Sequence, residues 1–362
     1  MRSGAALLVP RAGPDHHLRL LPAHGRGPAL PPGGHLLQPP FRGGGLPGRA
    51  LHPGRARALP GPAQGPPAAG AGRPGPGPGP AEKGRPVVTK LTVVVDNSVA
   101  HATPLLGEHG LSLWLEHQGV NLLYDTGQGR ALLPNLKALG LDPEALDAVV
   151  LSHGHHDHSG GLEALLAART RPTPVWCHPA AFAPHLKQEP PRPRDIGPPL
   201  SQAGYEELGA VFHWVRGNAQ PWPGLTLLAP IPRRTAFEGP APGLLTRRGG
   251  ALVPDPLEDD LALLVMGGQG PAVLTGCAHA GALNVLAAAA SAAGRPPVLL
   301  AGGTHLGPAP AAQQEASLKA LAEAPGLRVA AGHCTGLALA GRLQGVLGPR
   351  FSHLEAGRVL EL

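Results

Sequence analysis

The sequence predicts an α/β protein in which two β-sheets stack face to face with helices on the outside. Three observations carry this reading. Strand-like apolar runs fall into two groups, and each group gives way to helical periodicity in its later part. No short fixed period repeats along the chain, which argues against a solenoid. Ordered-looking sequence also begins abruptly after residue 85, leaving 86–362 as one long folded region.

In the first half, Leu91 to Val95 is a β-branched run ending at Asp96-Asn97. Leu111 to Glu116 and Val120 to Tyr124, separated by Gln118-Gly119, read as a hairpin closed by Asp125-Thr126-Gly127. Ala131 to Leu139 has the apolar spacing of a helix stopped by Gly140. Ala148 to Leu151 is a short buried strand, Gly161 to Ala168 a helix, and Val175 to Cys177 another strand. Residues 184–201 are proline-rich and polar, as in an insertion or a lid-like loop. In the second half Val211 to Val215, Leu225 to Leu228, Leu261 to Val265 and Ala272 to Leu274 are strands. Helices follow at Ala282 to Ala293, Gln313 to Ala322 and Leu337 to Leu347. Strands alternate with them at Val298 to Leu300 and Leu327 to Ala330, and two short strands flank Ala356-Gly357.

Residues 1–85 have a different character. They hold 19 of the 53 glycines and 18 of the 46 prolines, with no Trp, Tyr or Ile. Such a stretch cannot bury enough apolar surface to offset the entropy of ordering. It reads as a disordered tail, as a basic arm for RNA or membrane, or as GC-rich DNA translated upstream of the proper start. The last reading is preferred, and the stretch is assigned no function. It carries 11 Lys/Arg against two acids, so the net charge of +6 belongs to it, while residues 86–362 carry 19 bases and 22 acids. The folded region is therefore slightly acidic, which argues against a nucleic-acid partner. Three sparse cysteines make no disulfide framework, no apolar run could span a bilayer, and Pro10 breaks the initial apolar stretch. The expected compartment is the cytoplasm, and the expected partner is a small molecule rather than a membrane.

The chemistry concentrates in Leu151-Ser-His-Gly-His-His-Asp-His-Ser-Gly-Gly161, directly after a strand. Imidazole and carboxylate are ligands for first-row metals, and the spacing of His153 and His155 lets both converge on one ion from a turn. Asp157 and His158 face the other way and can hold a second ion. One or two divalent ions are expected, with zinc preferred over iron or manganese.

At this string the sequence resembles the metallo-β-lactamase superfamily, from about residue 90 to 362, and the resemblance implies a four-layer αβ/βα sandwich with metals at one edge. Leu122-Leu-Tyr-Asp-Thr-Gly127 looks like the family strand and turn whose aspartate, here Asp125, supports a metal-bound histidine. Val273-Leu-Thr-Gly-Cys-Ala-His279 and Ala331-Gly-His333 resemble the later metal motifs, assigning His279 to the first ion and His333 to the second. The usual bridging aspartate after the glycine is replaced by Cys277, which is a thiolate ligand, a neighbour of the site or a packing residue. Val95-Asp-Asn97, Leu106-Gly-Glu-His-Gly-Leu-Ser112, Glu258-Asp-Asp-Leu-Ala-Leu263, Gly302-Gly-Thr-His-Leu306 and Gly332-His-Cys-Thr-Gly336 resemble one branch of the superfamily. That branch is named for dihydropterin ribofuranosyl-aminobenzene phosphate synthase and described as dihydropteroate-synthase-like. The resemblance makes Asn97, Glu108, His109, Thr304 and His305 candidate substrate contacts, with His305 also a rival ligand.

Two enzymatic readings follow from the resemblance. In a hydrolase, metal-activated water attacks an ester or phosphoryl-type bond while Asp157 binds metal and orients the nucleophile. In a synthase, a dihydropterin pyrophosphate condenses with an aminobenzene ribosyl phosphate at the same ligands. A non-catalytic metal-binding interaction protein is the third reading, and it requires a closed, fully liganded ion. The hydrolase is preferred.

Overall fold

A computed structural model describes residues 89–239 and 241–362. The expected low-complexity arm, residues 1–85, lies outside the described residues. Among those described, two seven-stranded sheets and one small four-stranded sheet form. The first large sheet takes its strands from the first half of the chain and closes with the last strand, Val359–Glu361, beside Thr89–Val95. The second comes from the second half, running from Ala219–Trp222 at one edge to Phe351–His353 at the other.

Both sheets change direction partway across. Thr89–Val95, Ser112–His117 and Val120–Tyr124 pair antiparallel, and then Val120–Tyr124, Ala148–Val150, Thr173–Cys177 and Ala210–Trp214 run parallel. Leu225–Leu228, Ala262–Gly267 and Gly270–Thr275 are antiparallel, and then Gly270–Thr275, Leu299–Gly302, Arg328–Ala331 and Phe351–His353 are parallel. Parallel strands need crossovers, and the helices supply them. Leu132–Leu139 and Leu162–Ala167 serve the first sheet; Ala282–Ala293, Ala311–Glu323 and Leu337–Leu347 serve the second.

Three apolar clusters separate four layers. One lies between the sheets and joins Leu91, Leu113 and Leu122 to Leu227, Leu263 and Leu274. A second fixes the first-half helices through Leu132, Leu136, Leu162 and Leu165, and a third fixes the second-half helices through Val285, Leu318, Leu321 and Leu343. Each fully buried leucine contributes roughly 1.5–3 kcal/mol. Polar ties also join the two halves, among them the buried Tyr124 hydroxyl, which donates to the Leu261 carbonyl at 2.8 Å. The expected αβ/βα sandwich is thus present.

The proline-rich stretch 184–201, expected as a lid-like loop, contains two short strands, Leu186–Lys187 and Arg194–Asp195. They pair with each other and with the hairpin Leu244–Arg248/Ala251–Pro254 to make the small sheet. Gly249 and Gly250 turn that hairpin with φ of 57° and 84°, the left-handed pair that a two-residue turn requires.

Glu108, expected as a substrate contact, has a structural role in the fold. Its two carboxylate oxygens accept the backbone N–H groups of Gln128, Gly129, Arg130 and Ala131 at 3.0–3.1 Å. These amides lead into the helix Leu132–Leu139, where an anion also complements the helix dipole. Glu108→Ala is expected to lower the unfolding free energy by about 2–4 kcal/mol, and Glu108→Gln by less, read from urea midpoints. A change within about 0.5 kcal/mol for Glu108→Ala would contradict this assignment.

Candidate metal centre

Six strand ends meet at one edge of the sandwich. Asp96 and Asn97 follow Thr89–Val95, Asp125 follows Val120–Tyr124, and Ser152 and His153 follow Ala148–Val150. Cys277 and His279 follow Gly270–Thr275, His305 follows Leu299–Gly302, and His333 follows Arg328–Ala331. The carboxyl ends of strands in α/β sheets are where ligands bind. Asp125, Ala278, His305 and His333 all take positive φ there, between 48° and 61°, a backbone cost that clusters at functional sites. Gly276 permits the closest approach: a Cβ there would sit 2.0 Å from Ser152 Oγ and 2.7 Å from Asp125 Oδ2.

Asp125 organises the cluster. Its Oδ1 accepts the Ser152 amide, and its Oδ2 accepts both the Ser152 hydroxyl and His158 Nδ1, all at 2.7 Å. With its hydroxyl proton committed to Asp125, Ser152 Oγ can only accept from His153 Nδ1 at 2.8 Å. Asn97 Oδ1 accepts from His333 Nδ1 at 2.9 Å. Three rings therefore have Nδ1 fixed as the donor, and each Nε2 points inward.

Those inward nitrogens crowd together. His153 Nε2 lies 3.1 Å from His155 Nδ1 and 3.3 Å from His279 Nε2, and all three residues are buried. His158 Nε2 lies 3.1 Å from His333 Nε2, and Asp157 Oδ2 lies 3.4 Å from His333 Nε2. Buried nitrogens this close need a proton or a metal ion between them. Bond lengths of about 2.0–2.1 Å in a tetrahedral zinc site put its donors about 3.3 Å apart, so the spacing fits a divalent ion. His153, His155 and His279 form one group that could hold a metal ion. Cys277 forms a second group with His153 and His158, and a third with His333 and Cys334. Its Sγ is 3.2 Å from His158 Nε2, at the junction of the two sets of donors.

The remaining candidates separate. His109 also falls in a possible metal group, with Asp157 and His333. Asn97 Nδ2 donates to His109 Nδ1 at 3.2 Å, which turns His109 Nε2 toward Asp157 Oδ2, also at 3.2 Å. Asn97, expected as a substrate contact, instead supports His333 and His109. Thr304 is buried with its hydroxyl against Thr335 at 3.0 Å, and it lines a small cavity beside His279 and His305. His109 and His305 both line a cavity of about 530 Å³ together with His155, Asp157, Cys277 and His279. Cys334, not singled out in the sequence, lines the same cavity; its place beside His333 was the available signal. His185, also missed, packs edge-on against His155 at 5.2 Å and is held by Asp255 at 2.8 Å.

Burial, reinforced by neighbouring imidazoles, holds His153, His155 and His279 well below the usual histidine range. Burial also opposes charge on His158, but Asp125 and Asp157 outweigh it and raise that ring to about 9. Asp157 is driven well below the carboxylate range because His158 and His333 overcome its burial. His305 is brought down to about 4 by burial and then by His333.

The fold and this donor cluster define a metal-binding α/β sandwich. The family model of the metallo-beta-lactamase superfamily matches residues 106–333, and the chain belongs to that superfamily. Its sequence is 27% identical over 283 residues to the 7,8-dihydropterin-6-methyl-4-(beta-D-ribofuranosyl)-aminobenzene-5'-phosphate synthase of Methanocaldococcus jannaschii, covering 75% of this chain and 96% of that one. A 55-residue stretch is 46% identical to the hydroxyacylglutathione hydrolase of Aeromonas hydrophila, covering 15% of this chain and 20% of that enzyme. The crystal structure of Tm1679, described as a metal-dependent hydrolase of the beta-lactamase superfamily, is similar with a TM-score of 0.63 and 26% identity, covering 76% of this chain and 99% of that one. The chain is an enzyme of the metallo-hydrolase or related transferase kind. Among the described residues no helix is long and apolar enough to cross a membrane.

Metal release should be ordered by pH. A ligating imidazole must be neutral, and protons compete for His158 below about 9, whereas His153, His155 and His279 stay neutral into mild acid. Dialysis of metal-loaded protein from pH 8 toward pH 6 is expected to release the ion at Asp157, His158 and His333 first. Elemental analysis should show one ion leaving while the other stays; simultaneous loss would contradict the ordering.

Proposed function

We propose that this enzyme is a metal-dependent hydrolase acting on an ester or phosphoryl-type bond of a small molecule. The observation that carries this reading is the open face of the donor cluster. His155, Asp157, Cys277 and His279 line the 530 Å³ cavity directly, so a small molecule can reach the ions. A purely structural metal would be closed off by its ligands.

His153, His155 and His279 would hold one ion, and Asp157, His158 and His333 the other, with Cys277 between them. Zinc suits this mixed nitrogen, oxygen and sulfur set. Such an ion supplies Lewis acidity and lowers the pKa of bound water toward neutrality. Asp157 stays anionic, and His109 Nε2 fixes one oxygen of its carboxylate at 3.2 Å. Asp157 thereby orients the attacking water and accepts its hydrogen bond. His305 enters the cavity as a neutral ring and can contact the substrate or its leaving group. The free cysteines Cys177, Cys277 and Cys334 suit a reducing compartment, and we place the enzyme in the cytoplasm.

The second reading, a synthase condensing a dihydropterin pyrophosphate with an aminobenzene ribosyl phosphate, is favoured by the similarity that runs over 96% of the archaeal synthase. It would use the same donors, with the amine nitrogen of the aminobenzene attacking the pterin methylene in place of water and pyrophosphate leaving. Zinc-loaded protein should be assayed against phosphodiesters, thioesters and lactones, and separately with the two synthase substrates. Hydrolysis of one panel member, reduced about 100-fold or more in Asp157→Ala, is the expected result. Pyrophosphate release that requires both synthase substrates, with no hydrolysis of the panel, would replace the hydrolase by the synthase.

A further inference from the structure

Asp157 is the one carboxylate lining the cavity among the described residues, whereas the small sheet contributes two cations, Lys187 and Arg194. These residues are direct register partners across the antiparallel pair Leu186–Lys187/Arg194–Asp195. Directly opposed residues project from the same face, and two like charges placed this way destabilise a hairpin. Glu189 answers one of them, with both carboxylate oxygens 3.1–3.2 Å from the Arg194 guanidinium. The hairpin 186–195 thus carries three bases, Lys187, Arg192 and Arg194, against two acids, Glu189 and Asp195, and Lys187 and Arg194 border the cavity.

The hairpin is not loosely attached. The His156 amide, inside the metal motif itself, donates to the Ile196 carbonyl at 2.8 Å, and the Ile196 amide donates to His185 O at 2.9 Å. The strand that bears Lys187 also pairs with Leu244, and Leu244, Ile196, Pro242 and Pro308 give the cavity apolar walls. A molecule in this cavity meets the donor cluster, an apolar wall and a pair of cations.

We propose that Lys187 and Arg194 form an anion clamp that selects substrates bearing a phosphate monoester or similar dianionic group away from the bond under attack. The clamp rests on the metal-enzyme reading for what it recognises, though its cations do not depend on the ions. Lys187 suits a tetrahedral dianion as a point charge, and Arg194, whose Nε and Nη2 are held by Glu189, can add a hydrogen bond from Nη1. The repulsion between them is relieved when the dianion binds.

Calorimetry on the zinc-loaded full chain with phenyl phosphate, inorganic phosphate and benzyl alcohol tests this. Phenyl phosphate should bind more tightly than inorganic phosphate, because the ring meets the apolar walls, and benzyl alcohol should bind weakest. Lys187→Gln/Arg194→Gln together should weaken phenyl phosphate about tenfold or more, with Lys187→Arg close to the unaltered protein. Metal content measured alongside should not change. In His153→Ala, which disrupts the first metal set, phenyl phosphate should still bind and should still be weakened by the double change. Affinity in the double variant within about twofold of the unaltered protein would overturn the clamp. If binding then disappears in His153→Ala instead, the anion goes to the metal centre, and the clamp fails while the metal reading stands. Clamp binding without metal uptake or turnover would sink the enzymatic reading and leave the clamp in place.

Discussion

The structure turns on one constraint: buried imidazole nitrogens from five rings are held face to face at hydrogen-bonding or metal-ligand distance. His153 Nε2 is held 3.1–3.3 Å from nitrogens of His155 and His279, and His158 Nε2 is held 3.1 Å from His333 Nε2. His153, His158 and His333 are fixed in one orientation, because Ser152, Asp125 and Asn97 occupy their outward nitrogens. Unpaired buried polar groups are costly, and the convergence of five such rings fits a shared cation site. His155 Nε2 and His279 Nδ1 have no hydrogen-bond partner among the described residues. Those two rings are oriented by packing against His185 and His305.

The rest of the sandwich serves this geometry. Parallel pairing in both sheets brings Asp125, Ser152 and His153 from one half to the same edge as Cys277, His305 and His333 from the other. Asp96 ties the halves at the site, taking the Ser98 amide on one oxygen and the His333 amide on the other, each at 2.9 Å. Burial outweighs the amide hydrogen bonds from Ser98 and His333 and raises Asp96 to about 6. The second half is thus coupled to the first through groups that also set the direction of His333.

Much of this was legible in the sequence because its signals are local. The string from His153 to His158 carries its donors within six residues, and the helices Ala282–Ala293 and Leu337–Leu347 lie where apolar spacing and glycine stops put them. What was not legible depends on contacts far along the chain. Glu108 looks like a polar loop residue until the turn at residues 128–131 folds over it. Asn97 looks equally available until His333, 236 residues later, claims its oxygen. The small sheet escaped notice because two-residue strands among prolines have no period, although Gly249-Gly250 marked its hairpin. Cys334 was visible beside His333, but only the fold brings it to Cys277.

The most direct test is anomalous X-ray diffraction at the zinc edge from crystals of metal-loaded protein. The account predicts a peak where His153 Nε2, His155 Nδ1 and His279 Nε2 converge, and a second beside Asp157, His158 and His333 with the Cys277 sulfur as a neighbour. Bound zinc found elsewhere, with no peak among these five histidines, would contradict it.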